Sequence, residues 1–173
     1  MMSIVYAPLL LLSHTAAGGP HLEAADVCTT LTAISPREET PSEMREVPFV
    51  YGGVVLAPGD EVEVTAVRGC RRTLEEGWVY VVEGTYRLES RDRAVLLVSA
   101  TATEAPSPET RSPKNPAYVR IQRGSGTFSL PLHLFRGGKP HVTMYTVSGE
   151  PFSGRYFGSG TSVLPRITWP YSQ

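Results

Sequence analysis

The stretch from Tyr118 to Phe157 constrains the fold more than any other part of the chain. Its runs of Val, Tyr, Thr, Phe and Leu are cut by Gly124-Ser125-Gly126, by Gly137-Gly138-Lys139-Pro140 and by Ser148-Gly149-Glu150-Pro151. β-branched and aromatic side chains suit a pleated, half-buried surface, whereas Gly and Pro mark turns. The spacing predicts an antiparallel meander broken by three turns.

A chain of 173 residues, 41% hydrophobic and 19% charged, can bury one sizeable core. Its 16 Gly and 15 Pro are scattered as punctuation and not gathered in a tract, which suits many short strands and excludes long helices. The net charge is −1 with both signs interleaved, so no broad field exists to attract nucleic acid or an anionic membrane. Only Lys114 and Lys139 among the sixteen cations are Lys; a GC-rich coding genome is the plain explanation, and selection for Arg at protein interfaces, where its planar fork binds carboxylates, the sharper one.

The chain divides on paper into three parts. Residues 1–17 form an apolar N-terminal arm or first strand, residues 18–161 a single β-sandwich domain, and residues 162–173 a C-terminal strand and tail. The run Ile4–Leu12 could pass for a signal-peptide core, but no basic residue precedes it and Pro8 interrupts it. It is also shorter than the roughly 20 apolar residues a membrane span needs.

Along the domain, Val27–Ile34 reads as a strand. Ser35-Pro36-Arg37-Glu38 and Thr40-Pro41-Ser42-Glu43 each place a capping hydroxyl before Pro and Glu, which predicts one or two short helical turns near residues 35–46. Val47–Leu56 reads as a strand with a bulge at Gly52-Gly53. A type II turn over Ala57-Pro58-Gly59-Asp60 then leads into the strictly alternating Glu61–Val67, and the two runs are expected to pair as a hairpin. Trp78–Leu88 and Ala94–Thr103 are expected to pair across Glu89–Arg93. Residues 104–116 form a Pro-rich loop of the length that usually carries contacts.

No group of residues makes a persuasive reactive centre. His14, His21, His133 and His141 lack metal-ligand spacing, although His133 and His141 flank Gly137-Gly138 and could face each other across a hairpin. Cys28 and Cys70 permit one bridge at most; a reduced, buried pair is the expectation, with Cys70 among Arg68, Arg71 and Arg72 the thiol most open to activation. Glu61 and Glu63 share one face of a strand and could mimic a glycosidase pair, but such glutamates are routine on a half-buried strand. The aromatics Trp78, Tyr80, Tyr86, Tyr118, Phe128, Tyr145, Tyr156 and Phe157 suit core filling and interfaces better than a stacking platform.

Gly154-Arg155-Tyr156-Phe157-Gly158-Ser159-Gly160 lacks the Lys-Ser/Thr of a phosphate loop. It resembles the glycine-rich C-terminal motif of trimeric dUTPases over fewer than ten residues. Nothing upstream matches that family's uracil-binding or Mg-diphosphate motifs, so no activity is carried over.

The expectation is an all-β chain of about eight to ten short strands in a two-sheet antiparallel sandwich or jelly-roll. It implies no cofactor, no metal and no nucleic acid. The expected role is a non-enzymatic structural or assembly protein, most concretely a cement, decoration or minor capsid protein of a virion, in a homo- or hetero-oligomer. Leu9, Leu10, Leu11, Pro106, Pro108, Arg111, Pro113, Trp169 and Tyr171 are the expected partner contacts. The alternative is a secreted or surface binding module, Ig-like or carbohydrate-binding, and the third a hydrolase on a jelly-roll scaffold.

Overall fold

In a computed structural model, residues 44–102, 117–134, 138–160 and 163 are described. They form seven strands and no α-helix. The strands are β1 (Arg45–Glu46), β2 (Val50–Val55), β3 (Glu61–Gly69), β4 (Trp78–Ala102), β5 (Tyr118–Leu134), β6 (Gly138–Tyr145) and β7 (Pro151–Gly158). All pairing is antiparallel, in the order β1-β3-β4-β6-β7-β2, with β5 also paired to β4. The all-β expectation therefore holds, and the strands make one antiparallel sheet curled into a half-barrel.

The curl follows from chain connectivity. β4 has 25 residues and would run about 80 Å if straight. Trp78 pairs with Leu134 while Ala102 pairs with Gly138. The four steps from residue 134 to 138 reach at most about 14 Å, so the two ends of β4 must come back toward each other. The bend lies where pairing jumps from Leu88–Gly124 to Arg93–Gln122, setting four residues of β4 against Arg123 alone. Such a bulge turns a sheet corner.

Two sets of polar contacts hold that corner. Asp60, 4% exposed, accepts the Glu89 and Ser90 amides at 2.9 Å on Oδ1, and the Ser90 and Ser153 hydroxyls at 2.7 and 2.8 Å on Oδ2. Ser153 Oγ in turn accepts the Ala57 amide at 2.9 Å. One carboxylate thus ties the 57–60 turn and β7 to the bend. On the other strand, Arg123 donates to the Glu89 carbonyl at 2.6 Å and to Asp92 at 3.0 and 3.2 Å. Gly124, at φ 120°, adopts backbone that L side chains avoid.

Both halves of the bent sheet share one core. β4 sends even-numbered residues inward on both sides of the bend, from Tyr80 and Val82 to Leu96 and Val98, and Val142, Met144 and Phe157 pack against them. Aromatic rings lie over cross-strand glycines at three register pairs: Tyr80 over Gly69, Phe128 over Gly84 and Tyr86 over Gly126. The Tyr80 hydroxyl also donates to the Thr73 carbonyl and accepts the Glu75 amide, and burial pushes its pKa up to about 12.

Several expectations change. Gly124-Ser125-Gly126 is no turn but lies inside β5, because its glycines serve the bulge and the Tyr86 ring. Trp78–Leu88 and Ala94–Thr103 do not pair with each other; through Ala102 they are two arms of β4, each paired to β5 and to β3 or β6. The 57–60 turn forms as expected, with Gly59 at φ 83° and Asp60 N on the Ala57 carbonyl. Its flanking strands part company, however: β2 joins β7 and β3 joins β4. The β2 bulge at Gly52-Gly53 is present, and the Thr146–Glu150 turn closes β6 on β7. Within 35–46, where helical turns are expected, Arg45–Glu46 is strand β1, drawn into pairing with β3.

Two substitutions test this framework by urea denaturation. Asp60→Ala leaves four donors without their acceptor and is expected to cost about 3–4 kcal/mol, with Asp60→Asn losing less because the hydroxyls can reorient. Gly84→Ala places a Cβ 2.1 Å from the Glu63 carbonyl and 2.4 Å from the Phe128 ring, and is expected to cost about 3 kcal/mol or more. Adding Phe128→Leu should not restore stability, since the carbonyl clash remains.

Candidate functional site

The half-barrel is left open between β2 and β3. Among the described residues no strand pairs the edge of β2 opposite β7, nor the edge of β3 opposite β4 over residues 61–66. Tyr51 crosses this seam, its phenol donating to the Val64 carbonyl at 2.6 Å and lying 3.4 Å from Glu63 Oε1. Burial and the Glu63 charge push its pKa up, with Arg155 offsetting part of the rise.

A groove of about 780 Å³ opens beside the seam. Register sets Val62, Tyr86 and Gly126 in one row across its floor, with Glu61, Arg87 and Ser125 in the next row. Arg155 reaches in from β7, its guanidinium 4.6 Å from the Tyr51 ring centre and its Nε buried with no hydrogen-bond partner. Among the described residues Arg155 has no carboxylate partner, whereas Arg87 forms an ion pair with Glu61. Glu61 and Glu63 therefore do not work as a carboxylate pair: one is held by Arg87 and the other lies beside Tyr51. The volume falls within the range of ligand sites.

A second polar cluster lies on β4, β6 and β7. His141, 5% exposed, contacts Thr143 Oγ1 through Nδ1 at 2.7 Å, and Thr101 Oγ1 and Ser99 Oγ through Nε2 at 2.9 and 3.1 Å. The Tyr156 ring lies 5.0 Å away, its hydroxyl 3.2 Å from Thr101 Oγ1. Burial pushes the His141 pKa down to about 4, so the imidazole is neutral at pH 7 and a weak base. Every partner is a hydroxyl and no carboxylate orients the ring, so the cluster satisfies a buried histidine and does not activate a nucleophile. His133 does not face His141: it pairs with Val79 on β5, and His141 lies between Ser99 and Tyr156.

Cys70 is disulfide-bonded, which corrects the expectation of a reduced pair and removes an activated thiol. Cys28, the only other cysteine in the sequence, lies outside the described residues. No group of His, Cys, Asp and Glu among the described residues has the geometry to hold a metal, and no described helix is long and apolar enough to cross a membrane. Residues 154–158 of the glycine-rich motif are part of β7. Tyr80, Phe128 and Phe157 are core residues. The expected contacts Leu9, Leu10, Leu11, Pro106, Pro108, Arg111, Pro113, Trp169 and Tyr171 lie outside the described residues.

The relation of Tyr51 to Arg155 is not legible in the sequence, because it depends on β2 pairing with β7, which neither local stretch announces. The only local sign was the Gly52-Gly53 bulge beside Tyr51. No family model, curated protein or solved structure matches the chain.

The neutral histidine makes stability depend on pH. Its pKa lies below the ordinary 6.5, so the unfolded chain takes up a proton that the folded chain refuses. Stability is full above pH 6.5 and falls as pH drops toward 4, by about 3 kcal/mol at most. Urea denaturation at pH 7.5 and 4.5 should show this loss, and His141→Gln should show a smaller one. Asp60 acts lower: burial raises its pKa, but its hydrogen bonds, led by the Ser90 amide, leave it below 3.8. Its contribution is therefore lost only as pH falls below that value.

Proposed function

We propose that the protein is a non-enzymatic assembly module that docks on neighbouring protein subunits, most concretely a virion cement, decoration or minor capsid protein. The observation that carries this reading is the edge strand β2. Its Val50, Tyr51 and Val54 are 59%, 42% and 47% exposed beside a backbone edge that no strand pairs among the described residues. Exposed apolar edges are pairing templates that proteins ordinarily blunt with charge or cover with a partner. Homo- or hetero-oligomeric assembly covers it. The two-sheet sandwich or jelly-roll form belongs to the same proposal, supported by the single core that the two arms of the bent sheet share.

A second reading is favoured by Cys70. A disulfide persists in oxidising surroundings, which suits a secreted or surface binding module. Intact mass under non-reducing conditions, together with the N-terminal residue of material from its natural source, separates the two: a shortened, bridged chain favours secretion.

The primary test is light scattering and particle co-sedimentation of the purified chain. Self-assembly or particle binding is expected, with loss in the Val50→Lys/Val54→Lys double variant and little change in melting temperature. A chain that stays monomeric and binds no particle would end the assembly reading.

A further inference from the structure

We infer that the open seam is the seat of an extended partner segment carrying a carboxylate, received on Arg155 and paired along the free edge of β2 or β3. This inference rests on the assembly reading and names the chemistry of the partner. Three observations converge. Two strand edges at the seam, β2 opposite β7 and β3 over residues 61–66, are without strand partners among the described residues, β3 lines the groove through Glu61, Val62 and Glu63, and added strands gain affinity from main-chain hydrogen bonds. Among the described residues Arg155 is the groove cation without a carboxylate, and its buried Nε has no hydrogen-bond partner; a planar guanidinium suits a carboxylate in two-point contact.

The third observation is the charge of the rim. Glu61 and Glu63 flank the groove, and Arg87 is already paired with Glu61. A phosphate-rich or otherwise polyanionic ligand meets far more repulsion there than one carboxylate among apolar and neutral residues, which Arg155 can offset. Tyr51 bridges the seam through its phenol, which contacts the Val64 carbonyl and the Glu63 carboxylate, so an entering strand displaces one phenol and leaves the core intact.

The test is selection of a displayed library of random octapeptides on the folded, full-length protein. Enriched peptides are expected to carry one Asp or Glu at a fixed place within alternating apolar residues. A synthetic peptide from that set should bind about tenfold or more tightly than its Gln or Asn counterpart, and should shift amide resonances of residues 50–55 and 61–66. Arg155→Gln should erase the preference for the acid while melting as the parent does, and Arg155→Lys should keep part of it. Failure to enrich acidic peptides, equal binding of acid and amide forms, or an unchanged preference in Arg155→Gln would each overturn the inference. If Arg155→Gln still assembles while the β2 double variant does not, the inference falls and the assembly reading stands.

Discussion

A buried carboxylate at a sheet corner is the contact on which the rest of the molecule depends. Asp60 gathers two amides and a hydroxyl from the bend and a second hydroxyl from β7, at a bend that has no turn of its own, since β4 runs through it without a break. Buried charge is tolerated only where hydrogen bonds replace water, and here all four come from segments that must meet for the sheet to curl. Arg123 completes the corner from the other strand. With the bend fixed, the two arms of β4 enclose one core; without it, they would be an open ribbon with its apolar face in water.

The strands of this fold were legible in the sequence and their partners were not. Strict alternation located Glu61–Val67, and Pro58-Gly59 gave the turn that forms. Proximity along the chain then suggested a β2–β3 hairpin, but β2 finds more to pair with on β7, where Tyr51 lies opposite Phe157 and Val54 opposite Arg155. The groove appears only after that exchange. Glycines misled for a related reason. Gly84 and Gly126 look like strand breakers, yet each clears room for a ring on the facing strand, a role visible only once Phe128 and Tyr86 are in register.

The two polar features of the sheet differ in what they leave unsatisfied. Around His141 each imidazole nitrogen has a hydroxyl partner, and the ring is kept neutral. Such a closed network fixes strand register and gives nothing to a ligand. At the seam, among the described residues, a guanidinium has no anion and two backbone edges have no strand. Recognition sites are found where the fold has stopped short of satisfying itself.

The corner also sets a rule for lengthening or shortening the chain. Core side chains fall mainly on even numbers on both arms of β4, from Tyr80 to Leu88 and from Ala94 to Val98, but on β5 they pass from odd at Ile121 to even at Phe128 and Leu132. Four unpaired residues on one strand preserve the phase, while the single Arg123 on the other reverses it. The bend in β4 can therefore gain or lose residues in twos, whereas loss of Arg123 would restore unbroken alternation along β5 and remove the irregularity that turns the corner. Descendants of this chain that vary in length at the corner should do so by even steps on one strand and not at all on its neighbour.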